Sequence, residues 1–270
     1  MRPKGGKSQQ ARPLWRNLPR IGLLGSGGAL LTLVAWTIIA SRFDRVGFES
    51  PLSYFGYSIS SGVPVAYPFI VLLPVVVPFS QQLNKRWIVY ARTRTGISRY
   101  LAQVALLNCI SAFLVFFLYV VITFVVLYFA GGALGAVYDP GGYSHPSGEH
   151  IARLTALEDI SPTLYMFVYA TWQGINAAIW ATIGLVSLLV VRRRILAFAA
   201  PFMIFVLLSL AMGVLGEPFA WNTPWLLWVL FSVSDVPFLA SILTLAVFSF
   251  GAVIAVTLVI RRADRLSVLQ

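Results

Sequence analysis

Between Arg99 and Asp139 the chain carries no charged side chain at all. A helix rises about 1.5 Å per residue, so about 20 apolar residues cross a hydrocarbon core roughly 30 Å thick. The uncharged run therefore holds a helix of about 30 residues, longer than one crossing needs. Five other stretches meet the same criterion. The expected spans are 21–40, 56–80, 100–129, 161–191, 195–216 and 236–260, each bounded by a charged residue or a short loop. A water-soluble fold would carry about 45–50% apolar and about 25% charged residues, whereas this chain has 59% and 11%. The expected fold is thus an all-α membrane protein with six transmembrane helices. A seventh apolar stretch, 219–234, is too short to span comfortably. With Trp221, Trp225 and Trp228 it is expected to lie at the interface or to re-enter the membrane part-way.

The formal charge of +11 would ordinarily raise nucleic acid as a partner. Divided among the six spans it becomes an orientation signal. Seventeen of the twenty Lys and Arg fall in alternate segments: the N-terminal stretch, the loops after spans two and four, and the C-terminal tail. Eight of the nine acids fall in the other loops, and only Asp264 does not. Basic residues collect in cytoplasmic loops, so both termini are expected in the cytoplasm and no nucleic-acid partner is invoked. Residues 1–20 then form a basic cytoplasmic segment and 261–270 a cytoplasmic tail. The first span is expected to be retained rather than cleaved as a signal peptide. Its apolar run exceeds the usual 7–15 residues, and Ile38-Ile39-Ala40 lacks one of the two small residues of a cleavage site.

Within the spans, Pro64, Pro68, Pro74 and Pro78 predict a kinked second helix packed inside the bundle, because each removes a backbone donor. Gly22-xxx-Ser26 and Gly25-xxx-Ala29 are spacings that let helix backbones approach, either within the subunit or across a dimer seam. Gln103 and Asn108 dot the cytoplasmic half of the third span, and Gln173 and Asn176 lie three apart on the fourth. Polar groups in hydrocarbon need partners, so all four are expected to face the bundle interior. There they serve as helix-to-helix contacts or line a candidate translocation path.

No Asp, Glu, Lys, Arg or His lies in the middle of any span. That composition disfavours a proton- or ion-coupled secondary transporter and an intramembrane enzyme, both of which need such a group. His145 and His150 share an outer loop with Asp139, Glu149, Glu158 and Asp159, but its Gly, Pro and Ser content reads as a plain extracellular loop. The single Cys109 excludes an intramolecular disulfide and a cysteine-based metal cage. Gly6-Lys7-Ser8 lacks the leading glycine and the strand of a phosphate-binding loop. The expectation is a chain with no catalytic, metal-binding or cofactor-binding residues of its own.

The loop between spans two and three is the most informative. Leu83, Trp87, Tyr90 and Ala91 form one apolar stripe at helical spacing, with Lys85 and Arg92 opposite and Arg86 at the edge. A short amphipathic helix is expected along the cytoplasmic surface, broken at Thr95-Gly96. Such an element either rests on anionic lipid or docks a cytoplasmic partner.

This order of elements, with the stretch Arg-Thr-Arg-Thr-Gly-Ile-Ser-Arg at 92–99, resembles the permease subunit of bacterial type-2 ABC transporters, which share the ABCG-like exporter fold. The resemblance implies that residues 11–20 form an interfacial connecting helix anchored by Trp15. It makes 81–90 a coupling helix that docks on an ATPase subunit, with Leu83, Lys85, Arg86, Trp87, Tyr90 and Arg92 as the ATPase-coupling residues. The stretch 219–234 becomes a re-entrant outer segment. It also implies a homo- or heterodimer with a second permease copy, separate cytoplasmic ABC ATPase subunits that hold ATP-Mg, and a multi-pass location in the bacterial plasma membrane. The cargo is expected to be hydrophobic or amphipathic: a peptide, drug or lipid. A membrane assembly or signalling anchor that recruits a cytoplasmic partner is the competing reading, with a secondary transporter third.

Overall fold

The computed structural model describes residues 20–43, 47–62, 67–73, 76–77, 79–80, 96–139, 160–215 and 238–262. The described chain is mostly helical. In order it forms α1 (Arg20–Phe43), β1 (Gly47–Phe48), α2 (Pro51–Gly62), α3 (Tyr67–Ile70) and α4 (Ile97–Ala130). Then come β2 (Val137–Tyr138), α5 (Pro162–Val190), α6 (Arg194–Leu215) and α7 (Phe238–Arg261). Two helices, α4 and α5, are long and apolar enough to cross a membrane. Shorter apolar helical segments run over Gly25–Ala40, Arg194–Leu208 and Leu245–Arg261.

Local chemistry sets the helix ends. Gly96 precedes α4 at φ 72°, a left-handed conformation that favours glycine. Ser50 and Ser161 cap α2 and α5, their Oγ atoms accepting from Ser53 N at 3.1 Å and Leu164 N at 3.4 Å. Pro51 and Pro162 follow these caps, where a missing N–H costs nothing.

Of the expected second span, 56–80, residues 63–66, 74–75 and 78 lie outside the described residues. α2 begins earlier, at Pro51, and the described residues beyond it comprise the four-residue α3, a turn at 71–73 and short pieces. Leu72 N and Leu73 N bond three residues back, to Phe69 O and Ile70 O, and Val77 N bonds five back, to Leu72 O. Bonds three and five residues apart thus replace regular rungs among the described residues of a stretch with four prolines, each lacking a backbone donor. One departure from the all-α expectation is small. β1 pairs in parallel with β2, Gly47 opposite Val137 and Phe48 opposite Tyr138, and Asp139 N donates to Phe48 O at 2.9 Å.

The core is the antiparallel α4–α5 pair. Cys109 meets Thr182 near one end, and the rings of Phe117 and Phe167 lie 6.3 Å apart towards the other. Gly174 makes the close approach possible, since a Cβ there would stand 2.6 Å from Cδ2 of Phe113. α1 packs on α4, and α6 on α5 through Trp180 and Phe205, whose ring centroids are 5.7 Å apart. Ser98 Oγ donates to Ile260 O at 3.4 Å, so α7 ends where α4 starts. On the outer face of α4, Leu106, Ile110, Leu114, Leu118 and Ile122 form an exposed apolar stripe at four-residue spacing. A contiguous apolar surface of this kind suits contact with lipid rather than water.

Candidate functional site

A neutral polar seam runs through the centre of the bundle. Thr37 on α1 donates to Leu33 O at 2.9 Å, which uses its only proton. Tyr119 on α4 therefore donates to Thr37 Oγ1, at 2.7 Å. Tyr169 and Gln173 on α5 share a side-chain hydrogen bond. One turn on, Asn176 Nδ2 donates to Trp172 O at 3.0 Å. Cys109 Sγ lies 3.2 Å from Thr182 Oγ1, whose proton goes to Ala178 O at 2.7 Å, so the thiol is the donor between them. Tyr67 on α3 is buried at the same core, its ring 4.9 Å from Phe116.

Asn108 differs from these. Its side chain is 1% exposed, and neither its amide nitrogen nor its carbonyl oxygen has a hydrogen-bond partner among the described residues. Ala105 and Ala112, one turn to either side on the same helix, are both buried and small. Among the described residues every buried polar side chain is uncharged.

Of the residues expected to line a path, Asn108 is buried on α4, and Gln173 and Asn176 are buried on α5. Gln103 is not. It lies exposed on the outer surface of α4, which corrects the expectation that all four share the interior. Leu83, Lys85, Arg86, Trp87, Tyr90 and Arg92, the coupling residues, lie outside the described residues, as do 11–19, 219–234, His145 and His150.

The hydroxyl partners Thr37, Tyr119, Tyr169 and Thr182 did not figure in the sequence reading. One signal was available for the tyrosines. Membrane tyrosines favour the interface, so Tyr119 and Tyr169 inside apolar runs mark phenols that need a partner in the interior. Chemically, the seam can accept and donate hydrogen bonds, but among the described residues it holds no carboxylate, imidazole or ammonium to carry a proton or bind an ion. No protein-family model, curated protein or solved structure matches this chain.

Proposed function

We propose that the chain is the transmembrane permease subunit of an ATP-driven exporter of the type-2 ABC class, moving a hydrophobic or amphipathic substrate across the bacterial plasma membrane. The observation that carries this reading is the uncharged polar seam of Asn108, Gln173 and Asn176, in which no described residue is an ionisable relay. A passage lined in this way can hydrogen-bond a cargo but cannot harvest an ion gradient, so the work must enter from outside the membrane. The basic amphipathic stretch 81–99 supplies the place where a separate ATPase subunit, holding ATP-Mg, would push. A second copy or a homologous permease completes the pathway.

The test is a double variant, Arg86→Glu with Trp87→Ala, reconstituted with the ATPase subunit in proteoliposomes. Transport and permease-stimulated ATP turnover should both fall about tenfold or more, the scale of a typical coupling free energy. Unchanged transport and turnover would overturn the reading. A defect that follows vesicle charge and salt rather than the ATPase would point to the membrane anchor instead.

A further inference from the structure

Asn108 is the one buried amide in the seam whose donor and acceptor are both unmet among the described residues. Gln173 and Asn176 each hold at least one bond, and the neighbouring Cys109 is engaged by Thr182. A buried polar group without a partner opposes folding, and in an apolar bundle a leucine would be the better structural choice. Its neighbours along the helix are small. Ala105 and Ala112, both buried, flank it on α4.

We propose that Asn108 anchors a binding site on the buried face of α4 for a ligand bearing an uncharged amide or hydroxyl group, recognised through paired donor and acceptor bonds. Assigning that ligand as the exported cargo rests on the function proposed above; the site itself does not. An amide offers both donors and an acceptor, so it matches a group that presents the complementary pair. With no charged side chain buried among the described residues, a carboxylate or ammonium entering the site would lose its hydration without compensation. The site thus selects neutral polar groups carried on apolar bodies.

Cys109, the only cysteine in the chain, adjoins Asn108 and reports on the site without background. The intact chain in nanodiscs is treated with N-ethylmaleimide, and the alkylation rate is followed by mass spectrometry. Three probes with one octyl tail are compared: N-octylacetamide, octyltrimethylammonium and octanoate. N-octylacetamide should slow alkylation while the two charged probes do not. In Asn108→Leu about tenfold more of the amide should be needed, the loss of one good hydrogen-bonding pair. Asn108→Ser, which keeps a hydroxyl, should fall between. Without probe, Asn108→Leu should also melt higher than the unaltered chain. Equal protection in Asn108→Leu, protection by the charged probes, or no protection by any probe would each overturn the site. No protection together with a lower melting temperature in Asn108→Leu would make Asn108 a structural residue. Because none of these readings involves an ATPase, the site and the transport function fail or stand separately.

Discussion

Gln103 and Asn108 read alike in the sequence, two amides near the N-terminal end of one apolar run, yet one is exposed and the other is buried. The helix explains the difference. Five residues at 3.6 per turn turn the side chain through about 140°, so the two cannot face the same neighbour, whereas Gln173 and Asn176, three apart, differ by only about 60°. Spacing therefore carried enough information to separate Gln103 from the others, while polarity alone did not. Glycines are separated by their neighbours in the same way. A Cβ at Gly174 would press on the Phe113 ring and stand 3.1 Å from its backbone oxygen, and the ring is held by Phe117 stacked at 5.7 Å. A Cβ at Gly184 would meet chiefly the methyl end of Leu72, which can rotate away. Gly174→Ala should therefore destabilise the purified protein by about 1–3 kcal/mol, and Gly184→Ala by clearly less, as read from detergent thermal melts. Equal losses would contradict this account of the α4–α5 contact.

At the scale of elements, the runs that lack charge map closely onto helices, since length and apolarity fix where a helix can lie. The expected 100–129 appears as Ile97–Ala130, 161–191 as Pro162–Val190 and 195–216 as Arg194–Leu215. In the second run apolarity says nothing about rungs, and the described residues 71–73 form a turn beside prolines that lack a backbone donor. Of the two small-residue spacings in α1, the one at Gly25 and Ala29 turns inward. Ala29 is buried and a Cβ at Gly25 would lie 3.6 Å from Leu73 O, so that spacing packs α1 within the subunit. The Thr37–Tyr119 bond was not legible, because it joins residues 82 apart and depends on which faces of α1 and α4 meet. It should hold α1 to α4 measurably. A double-mutant cycle with Thr37→Val and Tyr119→Phe should give a coupling of about 0.6 kcal/mol, the average for such bonds between membrane helices, and additive losses would show that the bond contributes nothing.

At the scale of the whole molecule, charge and apolarity act on different problems. Apolarity builds the bundle, and its exposed stripe along α4 is what a lipid-facing surface needs. Charge is confined to the ends, seventeen basic residues on one expected side and eight acids on the other, and sets orientation. The buried seam is neutral throughout the described residues, and that neutrality is what the proposal of an external energy source rests on. That seam was only half legible, because amides stand out in an apolar run while hydroxyls pass as ordinary membrane residues. The central claim is that this chain works with a separate ATP-binding subunit, and affinity purification from native membranes in mild detergent, with azido-ATP photolabelling, tests it most directly. The account predicts a photolabelled polypeptide that is not this chain, in near-stoichiometric amount and lost in Arg86→Glu with Trp87→Ala. Recovery of this chain without a nucleotide-labelled partner, or label on this chain itself, would contradict it.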